Sequence, residues 1–315
     1  MMRPRSPLSH LLRAVGVLFL TTVPLAHHYR RQIRSYLTHW KGSPARTVPY
    51  RPHTIEPRLR VAVAGDIGAR GDRVDAVGRA MAVLARDDPY DVLLLLGDNS
   101  YPSGDPKHLP STVYQPFATV LRNARLLAIL GNHDVERQHG SEQIAALGMN
   151  GPWWAEQIED ILFVGLDSNR PEDGQQLEFL ERTLASARVR WTIVALHHPP
   201  YSAGYQGSSR EVRSVFSPIF ERYDVPLVLS GHDHDYQRSL PINGVTYIVS
   251  GGAARTRRTG AERFTAESFS GLHFVDLAIF EDRLVGRAVN RDGRVADTFV
   301  LRPSGAAHLA SSLSN

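Results

Sequence analysis

The chain has 315 residues, 42% hydrophobic and 22% charged, which supplies the core of one large domain or two small ones and excludes a disordered or fibrous chain. It contains no cysteine, so disulfides, thiolate zinc sites and cysteine nucleophiles are excluded. The net charge of +4 is uneven: residues 1–60 carry eleven Lys or Arg against Glu56, residues 61–315 carry 25 against 31 acids, and the basic pI gives no reason to expect a nucleic-acid partner.

Arg3, Arg5 and Arg13 precede an apolar run from Ala14 to Ala26. The run is shorter than the about 20 residues of a membrane span and suits the hydrophobic region of a signal peptide. Pro24 stands where a cleavage site wants a small residue, and Arg30, Arg31 and Arg34 blunt the charge asymmetry. Three readings stay open. Residues 14–26 export or membrane-anchor the protein, or a basic segment lies on anionic lipid, or the leader extends a soluble protein. Residues 41–57 hold four prolines and read as a linker. The expected organisation is a leader and linker over 1–57, a catalytic domain over 58–302 and a tail over 303–315.

Leu59–Asp66 reads as a buried strand ending in an acid, and Val74, Val77, Met81 and Leu84 predict a helix after it. Asp91–Asp98 repeats the pattern of an apolar strand ending in an acid. Residues 111–124 look helical, and Leu126–Gly131 is a strand opening onto Asn132, His133 and Asp134. Ile161–Leu166 is a strand, Leu177, Leu180 and Leu184 mark a helix, Trp191–His197 is a strand and Glu211–Tyr223 a helix. Val225–Gly231 is a strand ending in His232-Asp233-His234. From Val245 the pattern becomes a β-meander, with a hairpin signal at Asn290-Arg291-Asp292-Gly293.

Five segments therefore place polar groups at strand ends: Gly65-Asp66-Ile67-Gly68, Gly97-Asp98-Asn99-Ser100-Tyr101, Gly131-Asn132-His133-Asp134, Val194-Ala195-Leu196-His197 and Gly231-His232-Asp233-His234. Each segment by itself is ordinary, because a strand-end Asp is more often a cap or a turn former than a ligand. Together they line up oxygen and nitrogen donors where open α/β sheets bind ligands. A glycine ahead of the donor in four of them suggests a sharp backbone turn.

In this order the segments resemble the calcineurin-like metallophosphoesterases over roughly residues 58–300. Most of that superfamily has Asp-x-His in the first segment, where this chain has Gly68. Tyr101, three residues past Asp98, pairs with that loss as in the purple acid phosphatases. Leu229–Arg238 and Gln175–Leu184 also look like that family. The resemblance implies a compact single-domain α/β protein with a four-layer αββα fold, two central mixed β-sheets flanked by helices. It also implies two metal ions. Asp66, Asp98, Tyr101 and His234 would hold the first, expected as Fe(III) from its hard anionic donors. Asp98, Asn132, His197 and His232 would hold the second, suited to Fe(II), Zn or Mn.

The implied activity is hydrolysis of small phosphomonoesters by a metal-bridging hydroxide, with phosphodiesters of nucleotides or lipid head groups as the alternative. His133 would face the phosphate and stabilise charge or protonate the leaving group. Many relatives carry a further His nine residues past His197, where this chain has Gln206. The loop at Pro199–Ser209 offers Tyr201 and Tyr205 as substrate contacts instead, and His198 either shares the acid role or is structural. The four arginines of Arg255–Arg263 read as a solvated loop or as a contact to an anionic substrate.

Overall fold

A computed structural model describes residues 46–303. The apolar run at 14–26 and the tail beyond residue 303 lie outside the described residues. In chain order the elements are strands β1 (Val48–Pro49) and β2 (Leu59–Ala64), helix α1 (Asp72–Leu84), β3 (Val92–Leu95), β4 (Arg125–Ala128), helix α2 (Gly140–Leu147), β5 (Trp154–Ile158), β6 (Ile161–Gly165), helix α3 (Gly174–Ser186), β7 (Trp191–Ala195), helix α4 (Arg210–Arg222), β8 (Leu227–Ser230), β9 (Tyr236–Ser239), β10 (Thr246–Ser250), β11 (Thr265–Phe269), β12 (His273–Ile279), β13 (Leu284–Asn290) and β14 (Arg294–Leu301).

The strands form two seven-stranded sheets, ordered β1-β14-β13-β12-β2-β3-β4 and β11-β9-β10-β8-β7-β6-β5. Both are mixed: β2, β3 and β4 run parallel, as do β6, β7, β8 and β10, and the remaining pairs are antiparallel. Alternation along the strands explains the layers. Val61, Val63, Leu94 and Leu96 meet Ile161, Phe163, Ile193 and Leu229 in the core between the sheets. Their neighbours Ala62, Ala64, Leu93 and Leu95 face out onto Val74, Val77 and Met81 of α1. On the other sheet Leu162, Val164, Val194 and Val228 pack against Leu180 and Leu184 of α3 and Phe216 and Phe220 of α4. Strands covered on both faces need continuous apolar runs, which is what the sequence has. This is the four-layer αββα arrangement.

The expected helix over 111–124 is instead one π-helical turn, Pro110–Tyr114, followed by turns. Pro116 has no N–H to continue a helix ladder, and Gln115 donates five residues back to Pro110 at 2.9 Å. Val113 and Phe117 still fill the core, which is why their spacing looked helical. Residues 48–53, inside the Pro-rich stretch, lie against the first sheet. β1 pairs with β14, and the Tyr50 hydroxyl donates to Asp276 at 3.1 Å. Buried Arg60 donates to Asp276 at 3.0 Å, to the Tyr50 oxygen at 2.9 Å and to the Tyr90 oxygen at 3.1 Å, which ties this segment to β2 and β12.

Candidate metal centre

The carboxyl ends of β2, β3 and β4 in one sheet lie beside those of β7 and β8 in the other. Just past the strands, Asp66 N–H donates to the Gly97 carbonyl at 3.0 Å within the first sheet and Gly231 N–H to the His197 carbonyl at 3.1 Å within the second, while His232 N–H reaches across to Asp66 Oδ2 at 2.8 Å. The glycines ahead of the donors serve mainly to make room. A Cβ on Gly231 would lie 2.7 Å from Asp66 Oδ2, and one on Gly131 would strike the Asp98 carboxylate and backbone nitrogen. The unusual turn falls on the donors themselves: Asp66, Asp98 and His232 have φ of 57°, 53° and 70°. Such conformations cost about 1–3 kcal/mol each and collect where function requires them.

The seven candidate ligands converge in two groups. Tyr101 Oη lies 3.1 Å from Asp66 Oδ1 and 3.2 Å from His234 Nε2, and His234 Nε2 lies 3.3 Å from Asp66 Oδ1. Facing them, Asn132 Oδ1 lies 3.2 Å from His197 Nε2 and 3.0 Å from His232 Nδ1, with 3.3 Å between those two nitrogens. Asp98 sits between the groups. Its Oδ1 is 3.5 Å from His197 Nε2, and donor atoms of Asp66, Asp98 and His197 all fall within 4.8 Å of one another. His197 Nδ1 donates to the Leu96 carbonyl at 2.8 Å, which leaves the Nε2 lone pair aimed into the site.

The electrostatics suit a cation. Burial and the neighbouring Asp98 carboxylate raise the Asp66 pKa well above the usual carboxylate range. Burial, then Asp66 and Asp98, push the Tyr101 phenol upward as well. No Lys or Arg forms an ion pair with Asp66 or Asp98 among the described residues. Burial lowers all three candidate histidines, His232 to about 2, His234 to about 4 and His197 well below 6.5. Neutral imidazoles with free lone pairs beside crowded, buried acids are the state in which such groups bind metal ions. The donor set therefore fits the ions that the sequence implies.

Three buried acids next to the candidate ligands have no role in the sequence reading, yet they assemble the site. Asp134 accepts from the backbone N–H of Asn99 at 2.9 Å, of Ser100 at 3.2 Å and of Gly131 at 2.9 Å, which locks the second and third segments together. Burial and Asp98 raise its pKa to about 8. Asp233 accepts from the Ser202 hydroxyl and from the N–H of Gln206 at 2.7 Å and Gly207 at 3.2 Å, fixing the loop after β7. Asp235 accepts from the Gln237 side-chain amide at 3.0 Å, and its backbone carbonyl accepts from Gly251 N–H at 3.2 Å where the loop after β10 begins. The available signal was alternation: in His232-Asp233-His234-Asp235 the ligands and the loop anchors take turns.

The remaining candidates separate. The His133 ring stands edge-on to Tyr101, 4.8 Å between centroids, with its backbone N–H on Asp98 Oδ1 at 3.0 Å and its Nδ1 2.5 Å from the Pro102 carbonyl. Tyr201 is half-buried at the edge of the core, packing against Tyr247 at 4.7 Å and Phe264 at 5.6 Å. Tyr205 is 65% exposed on the loop that Asp233 anchors. His198 bonds Ser168 at 2.9 Å, and its ring lies 4.5 Å from the His232 ring at a tilt of 54°, a supporting position.

A family model described as calcineurin-like phosphoesterase matches residues 59–236. Human tartrate-resistant acid phosphatase type 5 is 28% identical over 276 residues, 70% of this chain and 85% of that protein. Two solved structures share the fold. A purple acid phosphatase from yellow lupin seeds superposes with a TM-score of 0.69 at 18% identity, over 78% of this chain and 53% of that one. GAP50, the anchor in the inner membrane complex of Plasmodium, superposes with a TM-score of 0.71 at 17% identity, over 82% and 96%.

Proposed function

The chain belongs to the calcineurin-like phosphoesterase family and is a phosphoric ester hydrolase, and from that premise we propose that it hydrolyses phosphomonoesters at a binuclear metal centre. The observation that carries the reading is the pair of facing donor groups with Asp98 between them. Asp66, Asp98, Tyr101 and His234 would hold Fe(III), because a phenolate and two carboxylates are hard donors. Asp98, Asn132, His197 and His232 would hold Fe(II), Zn or Mn, which accept amide and imidazole donors. When bound, the ions supply positive charge to the phosphoryl oxygens and lower the pKa of the attacking water.

The side chains around them do the rest. Asp134 holds the Asp98 and Asn132 segments in register, so the shared carboxylate stays between the two groups. His133 is the proposed proton donor to the leaving group. Its Nδ1 is engaged by the Pro102 carbonyl, so Nε2 is the nitrogen that would carry that proton. Gln206, where relatives place a further histidine, cannot act as an acid, so proton delivery rests on His133. The substrates are small phosphorylated molecules. No described helix is long and apolar enough to cross a membrane. We assign export or anchoring to residues 14–26 on their sequence alone.

The test compares a phosphomonoester and a phosphodiester of one chromophore on iron-loaded full-length protein. Faster turnover of the monoester is expected. Faster turnover of the diester would replace the monoesterase reading with a diesterase one, and no turnover of either would overturn both.

A further inference from the structure

Arg255 and Arg257 have no part in the chemistry derived so far. Arg255 is exposed, and its guanidinium carbon lies 4.3 Å from the centroid of the Tyr101 ring, whose hydroxyl belongs to the first donor group. Arg257 is half-buried, with its guanidinium carbon 4.9 Å from the centroid of exposed Tyr205. Its backbone N–H donates to the His234 carbonyl at 2.8 Å. Arg255 thus covers the ring of one candidate ligand, and Arg257 is bonded through its backbone to another. Neither forms an ion pair with a carboxylate among the described residues. The loop that carries them is tied down at its start, since the Asp235 carbonyl accepts from Gly251 N–H at 3.2 Å, and at Arg257, whose N–H holds the His234 carbonyl.

A guanidinium stacked on an aromatic ring uses its face. Its N–H edge stays free, and that edge matches two oxygens of a phosphate. Two such groups beside a site that binds cations create a strongly positive rim. A substrate with a single phosphate spends that charge on the metal ions and leaves the arginines unpaired. We propose that Arg255 and Arg257 form a second oxyanion subsite, and that the preferred substrates carry a second phosphate next to the scissile one. This rests on the phosphatase reading of the centre, because the scissile phosphate is placed there.

The test is an equilibrium one, so that it does not depend on turnover. Metal-loaded full-length protein is titrated calorimetrically with inorganic phosphate and with methylenebisphosphonate, whose P–C–P bridge resists hydrolysis. The wild type is expected to bind the bisphosphonate more tightly by about tenfold or more, the size of one or two charge-assisted hydrogen bonds. In the R255A/R257A variant that ratio is expected to fall toward one. R263A, on the same loop, is expected to keep it. A ratio unchanged by R255A/R257A overturns the subsite, and so does a wild-type ratio near one. Turnover of 4-nitrophenyl phosphate, followed on the same wild-type sample, reports on the phosphatase reading separately. Binding selectivity without turnover would sink that reading and with it the substrate claim, and leave Arg255 and Arg257 as an oxyanion-binding pair only.

Discussion

Gly68 occupies the position where most of the superfamily has a histidine ligand, and the structure gives a mechanical reason for its pairing with Tyr101. Gly68 N–H donates to the Asp98 carbonyl at 2.9 Å, and Tyr101 N–H donates to the Gly68 carbonyl at 3.1 Å. A Cβ on Gly68 would lie 2.7 Å from Asp98 O, 2.7 Å from Tyr101 N and 2.8 Å from Ser100 N, where ordinary contact begins at 3.4 Å. These are backbone atoms and cannot swing aside. Gly68→Ala therefore has to push the Asp98–Tyr101 turn outward by about 0.7 Å or more, an overpacking that costs about 1–3 kcal/mol. For a domain of this size that is a melting temperature lower by roughly 2–10 °C. The displaced turn carries both Asp98 and Tyr101, and misplacement approaching 1 Å is worth up to about 100-fold in rate. The assays are thermal unfolding and kcat/KM on a phosphomonoester. Gly68→His should do at least as much damage, although it restores the residue common elsewhere. Wild-type melting and turnover in Gly68→Ala would refute the argument that the glycine exists to let Tyr101 reach the site.

Tyr101→Phe should bleach the visible phenolate-to-iron band and weaken iron binding by at least roughly 10–100-fold, the loss expected from removing even an outer partner of a metal ligand. A surviving band would mean that another group is the ligand. His273 gives a pH test away from the metal centre. It is fully buried, bonds the Gly271 carbonyl at 2.8 Å and Ser250 Oγ at 3.1 Å, and burial lowers its pKa to about 4. A histidine depressed in the folded state adds stability that is present above its unfolded pKa and lost as pH falls through 6.5 toward about 4. Between about pH 7.5 and about pH 5 the wild type should lose about 2 kcal/mol more than His273→Gln in urea unfolding. Parallel losses in the two proteins would contradict the burial argument.

The parts of the fold that the sequence reveals are those where packing on both faces forces a continuous apolar run. Val61 to Ala64, Val92 to Leu95 and Ile193 to Ala195 read as strands because each alternate residue meets a different core. The stretch after Pro110 misled because Val113, Phe117 and Val120 keep a helical spacing while Pro116 removes the hydrogen bond that would make it one. The convergence of the five motifs is legible because metal chemistry restricts candidate donors to a few residue types. The supporting acids are not. Asp134 and Asp233 act on backbone N–H groups and Asp235 on the Gln237 amide, and a sequence does not say which loop a carboxylate will gather. Tyr201 and Tyr205 looked equivalent in the loop, and only tertiary packing separates a ring against Tyr247 from one in solvent.

Elemental analysis of the wild type beside Asp98→Asn tests the shared carboxylate most directly. Two ions per chain are expected in the wild type and loss of both in the variant, since Asp98 would serve the Tyr101 group and the Asn132 group alike. A variant that keeps one ion at full occupancy would contradict a bridged pair, and a wild type that takes up only one would end the binuclear account.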